Sequence, residues 1–285
     1  MIKEQTIFLI TMLFNLIIAT IKLLTGIIFG FSSLMADSLQ SYTDFITDII
    51  SMIASKVGKK RANKKYPFGY GMIENISNLF IGLFLIILSI FIFIHSFSTS
   101  TPIISPMIFI ILVITIFLKT MIILILYHYG KKNHNQSMIV SAKESSTDLI
   151  STSIVLIVGI LLLFKDQFPI LKHADMIGSI LISLIIFYIA ITIIIENITY
   201  LLGSSEENKE LLTKIEEIIK QHSLIKDSHI KLMKTGTYYH LYLTIELEDT
   251  ITLKQLVKLD NQLKKEIKQL PLKIRFIEIE PKQYH

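Results

Sequence analysis

Two short segments of the chain place pairs of oxygen-bearing side chains four residues apart inside long apolar stretches. Gln40 and Asp44 form the first pair, and Glu144 and Asp148 form the second. Four residues are about one turn of an α-helix, so both members of each pair face the same way. Carboxylates at membrane depth are costly, and they usually mark a functional site lined by protein or water. Four oxygen ligands on two helices could together hold a divalent cation.

A structural role is the alternative for each of these residues taken singly. Ser and Thr within membrane spans usually bond back to their own helix, and a single buried Asp is often only a hydrogen-bond acceptor. Two matched pairs, one on each of the two most polar spans, favour a metal site over that alternative.

The composition is typical of a polytopic membrane protein. Of the 285 residues, 52% are apolar and 18% are charged, which is too apolar for a soluble protein of this length. Residues 1–203 carry 14 Lys and Arg and 10 Asp and Glu, whereas residues 204–285 carry 14 and 13. We therefore expect a membrane domain over residues 1–203 and a soluble domain over residues 204–285. The absence of cysteine excludes disulfides and thiolate metal sites.

Six segments are long enough to cross a bilayer, which takes about 20 residues. The second and fifth segments are interrupted by Ser, Thr, Asp and Glu, and such polar spans must be shielded from lipid. We therefore expect a six-helix bundle with these two helices in its interior. The segments are residues 7–29, 32–55, 72–96, 106–129, 137–164 and 176–198.

The loops between these segments predict the orientation. Residues 56–65, after the second segment, carry six positive charges, and Lys131 and Lys132 follow the fourth. Because basic loops stay in the cytoplasm, we expect both termini and the tail there. Since these basic residues flank membrane spans, they do not indicate nucleic-acid binding. Abundant Ile and Lys without Trp suggest an AT-rich genome, and we expect a bacterial cell membrane.

The tail alternates helical and strand patterns. Apolar residues recur at helical spacing over 206–222 and 253–270, and alternation favours strands over 230–233, 238–247 and 274–279. The order αββαβ predicts a small α+β domain of the split βαβ, ferredoxin-like kind.

The order of six spans, the two pairs ending in Asp, the segment 66–74 that leads into the third span and the αββαβ tail occur together. In this combination the chain resembles the cation diffusion facilitator transporters over nearly its whole length. The resemblance implies a homodimer that moves divalent metal out of the cytoplasm, usually in exchange for protons. It implies a transporter rather than an enzyme, with the metal as substrate and no cofactor.

Carried over by this resemblance, the transport site consists of Gln40, Asp44, Glu144 and Asp148. Zinc-type members have His at the first position of one or both pairs, where this chain has Gln40 and Glu144. Imidazole favours zinc, and an all-oxygen set favours harder ions such as Mn²⁺, Mg²⁺ or Fe²⁺. We therefore favour manganese, with iron second. Zinc, cobalt and cadmium stay open, because three carboxylates bind most divalent ions to some extent.

The segment before the third span supports the same preference. Tyr66 and Tyr70 occupy positions where some members of the family carry His ligands. We therefore expect no metal site in that loop.

The carboxylates also suggest how transport is coupled. In a dry site, desolvation and mutual repulsion favour protonated carboxyl groups. An empty site is then expected to hold protons and to release them when metal enters. Alternating exposure of the two states would give metal–proton antiport.

Further polar residues at membrane depth have roles that the sequence leaves open. Asp48 lies one turn beyond Asp44, where a supporting role beside the direct ligands and a structural role are equally compatible with it. Asp37 is expected near the outer end of its span, where it could line the exit. Lys22 is equally compatible with neutralising a nearby acid and with reaching an interface. Lys119 is unusual at this depth, and the sequence assigns it no partner.

In the tail, His229, Glu278 and Glu280 match positions where some family members bind regulatory metal between subunits. Another position that can be His is Thr244 in this chain, so the set is incomplete. We predict at most a weak cytoplasmic metal site there. His240 matches no ligand position and is predicted to be a surface residue of its strand.

Two other classes of membrane protein remain as alternatives. An ion channel would line a continuous pore with acids and would not couple metal to protons. A structural or sensing protein would act through its tail, and changes at Asp44 or Asp148 would leave metal tolerance intact. The chain has no Gly-rich nucleotide-binding loop ending in Gly-Lys, which argues against ATP-driven transport.

Overall fold

Six long helices precede a small tail in the computed structural model, which describes residues 4–97, 102–132, 136–205, 209–236, 238–248, 250–270 and 274–284. A short 3₁₀-helix, Pro169–His173, leads into the last of the long helices. The six are α1 (Glu4–Phe29), α2 (Ser32–Gly58), α3 (Met72–Ser96), α4 (Pro106–Lys132), α5 (Gln136–Leu163) and α6 (Ala174–Leu201).

Five of these helices, α1, α3, α4, α5 and α6, are long and apolar enough to cross a membrane. The protein is therefore a multi-pass membrane protein, as the composition predicts. The helix α2 occupies the position of the second predicted segment, but it is less apolar than the other five because of its Ser, Thr, Gln and Asp residues. That α2 also crosses the membrane stays a prediction.

A glycine turn separates α1 from α2. Gly30 has a positive φ of 62°, a conformation that glycine adopts without a steric cost. This turn allows the Phe31 N–H to donate to the Gly26 carbonyl at 2.8 Å, a six-to-one bond that ends the helix. The chain therefore reverses within two residues, and α2 begins next to the end of α1.

The start of α2 is capped by an acid from another helix. Asp175, in the first turn of α6, accepts hydrogen bonds from the Ser32 and Ser33 N–H groups, each at 2.8 Å. These donors have no partner within their own helix, and a carboxylate there also complements the helix dipole. The cap fixes where α2 begins relative to α6.

A close approach of helices lies beside this cap. A Cβ atom at Gly178 would lie 2.6 Å from Val158 Cγ2 and 3.3 Å from the Ser33 Cβ. Any larger residue at position 178 therefore requires at least the Val158 side chain to shift. The glycine lets α6 pack tightly against α5 and the start of α2.

The tail contains α7 (Lys209–Lys220), β1 (Ile225–Thr235), β2 (Tyr238–Leu247), α8 (Leu253–Lys268) and β3 (Ile274–Gln283). This order is the predicted αββαβ, with β1 longer than expected. In the three-stranded sheet, β2 lies between β1, to which it is antiparallel, and β3, to which it is parallel. A split βαβ unit has another strand between its two parallel strands. Here β2 and β3 are hydrogen-bonded neighbours, which corrects the expected split, ferredoxin-like arrangement.

One face of this sheet packs against the two tail helices. Each helix contributes residues at spacings of four, and each buried Leu or Ile contributes about 1.5–3 kcal/mol. A capping box of Thr252 and Gln255 begins α8. The buried residues are Leu211, Ile215 and Ile219 of α7, Leu259, Leu263 and Ile267 of α8, and Leu232, Leu241, Leu243, Ile245 and Leu247 of the sheet.

The chain divides into two compact units. The first is Met1–Ile49 with Ile81–Thr192, and the second is Ile50–Phe80 with Ile193–His285. The second unit thus joins the tail to one end of α2, α3 and α6. The predicted division at residue 203 into a membrane domain and a soluble domain stays a prediction.

Candidate functional site

The polar sides of α2 and α5 face each other in the first unit. Ser41 donates from its hydroxyl to both oxygens of Asp148, at 2.9 and 3.2 Å. Ser151 donates to Gln40 Oε1 at 3.0 Å. All four residues are buried. The two most polar helices therefore shield each other's polar groups, as their sequences predict.

A buried lysine ties α1 to these two helices. Lys22 Nζ lies 2.8 Å from Asp37 Oδ2 and donates to Thr152 Oγ1 at 2.8 Å. The side chains of Lys22 and Asp37 are fully buried, so each charge depends on the other for compensation. Of the two roles left open for Lys22, the structure favours neutralising an acid. Asp37 is the acid that it neutralises.

A second buried lysine contacts the acid of the second predicted pair. Lys119 of α4 forms an ion pair with Asp148 of α5, and only 2% of either side chain is exposed. Lys22, Asp37 and Asp44 are also near enough to interact electrostatically with Lys119. Sequence reasoning marked Lys119 as unusual but found no partner for it, since the partner lies on another helix.

A small cavity opens among α1, α2, α4 and α5. Its water-accessible volume is about 30 Å³, which is enough for an ion or for about two water molecules. Acids, hydroxyls and one lysine make up most of its polar lining. The lining residues are Thr11, Met12, Asn15, Ser41, Asp44, Phe45, Asp48, Lys119, Leu126, Ser145 and Asp148.

The cavity offers carboxylate and amide oxygens as ligands, beside the hydroxyls of its lining. Asp44, Asp48 and Asp148 contribute carboxylates. Asn15 Oδ1 is buried and has no hydrogen-bond partner among the described residues, so an amide oxygen is also available. Carboxylate and amide oxygens suit hard divalent cations. The sequence signal for Asn15 was an amide within an otherwise apolar span, which the metal-site prediction did not include.

The predicted ligands are brought together only in part. Asp44 and Asp148 line the cavity, and Asp48 lines it with them. Gln40 is buried one turn away, does not appear in the cavity lining, and its amide oxygen accepts a bond from Ser151. Glu144 belongs to α5, but its side chain lies outside the described residues. Its role as a ligand stays a prediction.

The described carboxylates do not form a closed ligand set in this conformation. Within the part of the chain that the structure describes, no three His, Asp or Glu residues are close enough together to hold a metal ion. Binding would therefore require the carboxylates of Asp44 and Asp148 to move toward an ion in the cavity.

A family comparison identifies the class to which this arrangement belongs. The family profile of the cation efflux transmembrane domain matches residues 8–202. The chain belongs to the cation efflux family. It is therefore a membrane transporter of metal cations, in agreement with its resemblance to the cation diffusion facilitators.

Individual relatives of this cation efflux transporter align over most of their length. An uncharacterized transporter of Methanocaldococcus jannaschii is 28% identical over 90% of this chain and 90% of its own. Manganese efflux system protein MneP of Bacillus subtilis is 26% identical over 93% and 91%. Magnetosome protein MamB of a Magnetospira species is 29% identical over 80% and 78%.

In the tail of the transporter, the predicted weak metal site is spread over two rows of the sheet. His229 is exposed and lies opposite Thr244, which pairs in turn with Glu280. The Thr244 hydroxyl donates to Glu280 Oε2 at 3.3 Å and stands between the other two residues. Glu278 pairs with Tyr242, two residues further along the strands and on the same face of the sheet. Metal binding in the tail stays a prediction.

The prediction that His240 is a surface residue is wrong. His240 is only 2% exposed, and its ring lies 4.8 Å from that of Phe276 and 6.0 Å from that of Phe68, between ring centroids. Burial lowers the pKa of the His240 imidazole, and the charge of Arg275 lowers it further. Strand alternation places His240 opposite the helix-covered face, and Phe68, from a distant loop, covers it there.

Proposed function

We propose that this chain is a secondary active transporter that carries Mn²⁺ out of the cytoplasm in exchange for protons. Fe²⁺ is the second expected substrate, and export of zinc, cobalt or cadmium is the alternative. One observation carries the proposal: Asp44, Asp48 and Asp148, from two polar helices, line the same small cavity in the membrane-spanning bundle.

The preference for manganese follows from the chemistry of the cavity. Its polar lining offers carboxylate, amide and hydroxyl oxygens and includes no His. Oxygen ligands suit Mn²⁺, and without imidazole or thiolate the advantage of Zn²⁺ over Mn²⁺ is smaller. The similarity to a protein named for manganese efflux, over nearly the whole chain, supports the same metal.

The proposed transport site consists of Gln40, Asp44, Glu144 and Asp148, with Asp48 beside them. We place it in a bundle of six spans whose termini are cytoplasmic. The tail then extends into the cytoplasm and contributes to a homodimer. The basic residues at 56–65 support this orientation, because positive loops remain on the cytoplasmic side.

Proton coupling follows from the same carboxylates. Acids buried near one another bind protons when no cation is present, and a metal ion displaces those protons. If the occupied cavity opens to one side of the membrane and the protonated cavity to the other, metal and protons move in opposite directions. A pore with permanently ionised acids would conduct the metal without this exchange.

A metal panel in proteoliposomes tests the function. Purified protein is reconstituted, and the fluxes of Mn²⁺, Fe²⁺ and Zn²⁺ are recorded together with the internal pH. We expect the largest flux for Mn²⁺, and an imposed pH gradient is expected to drive metal against its own gradient. Metal flux that leaves internal pH unchanged and ignores an imposed pH gradient would identify a channel.

Growth assays separate the manganese and zinc alternatives in cells. The chain is expressed in a bacterial host that lacks its own manganese, iron and zinc exporters, and tolerance to each metal is compared. Rescue of growth at toxic manganese concentrations is the expected result. Rescue from zinc toxicity alone would replace the manganese assignment with the zinc alternative.

A further inference from the structure

We propose that Lys119 acts as a tethered cation that takes the place of the metal on Asp148 whenever the transport cavity is empty. This inference rests on the proposed function. It assigns Lys119 to the step in which the empty transporter returns to its cytoplasm-facing conformation. The observation that carries it is the buried ion pair between Lys119 of α4 and Asp148 of α5.

The position of Lys119 distinguishes it from an ordinary surface cation. Its side chain is 2% exposed, as is that of Asp148, and it lines the same cavity as Asp44 and Asp48. An ammonium group at membrane depth is costly without a partner. Lys119 is therefore compensated by the same carboxylates that are proposed to bind the metal.

Lys22 provides an internal comparison. Its ammonium group is held by Asp37 and by Thr152, each at 2.8 Å, and Lys22 is not among the residues that line the cavity. Among the described residues, the buried lysines are Lys22 and Lys119. Lys22 connects three helices, whereas Lys119 reaches into the space that an ion would occupy. Of these two, Lys119 is the one placed to exchange with an ion.

Electrostatics excludes both cations from Asp148 at the same time. The Asp148 carboxylate already accepts two contacts from Ser41 and pairs with Lys119. A divalent ion on this carboxylate would repel the adjacent ammonium, and the repulsion is strong where the effective dielectric constant is low. Metal entry therefore requires the Lys119 ammonium to move away from Asp148, and its flexible four-carbon side chain gives it that freedom.

The consequence appears after the metal has been released. Incoming protons can neutralise Asp44 and the other acids of the cavity, whereas an ionised Asp148 without a cation would be a buried, uncompensated charge, which is strongly unfavourable. The return of Lys119 to Asp148 compensates that charge. The empty cavity can then reopen to the cytoplasm, where the next ion binds, with the charge of Asp148 paired.

Two transport assays on Lys119→Gln separate this role from a general role in metal binding. Net efflux requires the empty transporter to return, whereas exchange of internal for external Mn²⁺ uses only the loaded form. For Lys119→Gln in proteoliposomes, we expect net efflux to fall about tenfold or more relative to exchange, because only the empty state loses its ion pair. Lys119→Arg, which keeps the charge, is expected to retain net efflux to a larger extent.

Equilibrium binding of Mn²⁺ to the purified full-length protein gives an independent readout. Since Lys119 competes with the metal, Lys119→Gln is expected to bind Mn²⁺ more tightly than the wild type, by about tenfold. Weaker binding in Lys119→Gln, or equal loss of exchange and net efflux in a variant that elutes as a folded protein, would overturn the proposal. Unchanged net efflux and binding would overturn it as well.

These outcomes are distinguishable from a failure of the proposed function. If the wild type itself neither binds nor exchanges Mn²⁺, the manganese assignment fails before Lys119 is tested. If the wild type transports Mn²⁺ and Lys119→Gln changes exchange and net efflux by the same factor, the role of Lys119 alone fails.

Discussion

At the scale of single residues, the interactions of the first unit converge on Asp148. Its carboxylate accepts hydrogen bonds from Ser41 and pairs with Lys119, so helices α2, α4 and α5 meet there. Lys22 and Asp37 form a second pair that closes α1 onto the same interface. A buried acid with this many partners contributes to stability, and its proposed role in metal binding requires a separate measurement.

Replacing Asp148 by Asn removes the charge and keeps the shape. We expect Asp148→Asn to lower Mn²⁺ flux about 100-fold, because one carboxylate ligand becomes a neutral amide. Flux is measured in proteoliposomes, with the exposed acid Asp166, changed to Asn, as the matched control. Flux equal to the control value would contradict the assignment of Asp148 to the site.

Gln40 is predicted to be a ligand, yet its amide oxygen bonds to Ser151. If Gln40 contributes a ligand, Gln40→Ala changes the order of metal preference, whereas Ser151→Ala mainly lowers stability by about 1 kcal/mol. The comparison is made with Mn²⁺ and Zn²⁺ flux for both variants and their double mutant. Identical, non-additive effects of the two substitutions would show that Gln40 acts only through Ser151.

His240 predicts a pH dependence in the second unit. Its pKa lies below the ordinary value of 6.5, so the unfolded chain binds more protons than the folded chain between the two pKa values. The contribution of neutral His240 to stability is therefore fully present above about pH 6.5, and it is lost as the pH drops toward the lowered pKa. Arg275 is the charged neighbour that contributes to this shift.

Hydrogen exchange of β2 in the full-length protein measures this effect. Protection of the strand is expected to decrease between about pH 7.5 and 5.5, after correction for intrinsic exchange rates. In His240→Phe, which cannot be protonated, the same comparison is expected to be flat. A wild-type strand as insensitive to pH as the variant would show that His240 stays neutral throughout.

At the scale of elements, the site depends on where α2 begins. Asp175 of α6 holds the first two N–H groups of α2, and Asp44 lies three turns further along the helix. A rigid helix transmits a shift at its start to every later residue. The cap therefore acts as a positioning device for the cavity, although it does not contact it.

Removal of this cap gives a test at the level of the helix. Asp175→Ala leaves two buried donors unpaired, and we expect a loss of about 2–3 kcal/mol in stability. Thermal unfolding in detergent measures the loss, and Asp166→Ala, in the preceding exposed segment, is the control. Equal unfolding temperatures for the two variants would show that the cap contributes little.

The elements themselves were largely predictable, because their signals are local. Apolar length located the helices, and alternation located β2 and β3. The four-residue spacing of each polar pair indicated that Asp44 and Asp148 lie on the polar sides of their helices. The adjacency of β2 and β3, the burial of His240 and the partner of Lys119 were not predictable, since each depends on a residue distant in sequence. A lone Lys within a span indicates only that some acid lies nearby.

At the scale of the molecule, the tail belongs to the same compact unit as one end of three long helices. The Gly236 N–H donates to Asn75 Oδ1 at 3.1 Å, near the start of α3. Arg275 of β3 donates to the Gly58 carbonyl at 3.1 Å and to that of Lys60. The sheet is thus fastened to the basic loop that follows α2.

Loosening this attachment should make the basic loop, whose residues 59–65 are already exposed, more mobile. In Arg275→Gln, the planar guanidinium that spans two carbonyls is lost, and we expect trypsin to cleave within residues 59–65 about tenfold faster. Lys282→Gln, at an exposed position of the same strand, is the control. Cleavage at the control rate would show that Arg275 does not hold the loop.

Anomalous diffraction is the most direct test for a divalent ion bound between α2 and α5. Crystals of the full-length protein grown with Mn²⁺ are measured at the manganese absorption edge. We expect a peak in the cavity, about 2.2 Å from carboxylate oxygens of Asp44 and Asp148. A cavity without a peak in crystals that bind manganese elsewhere, for example at His229 and Glu280, would contradict this expectation.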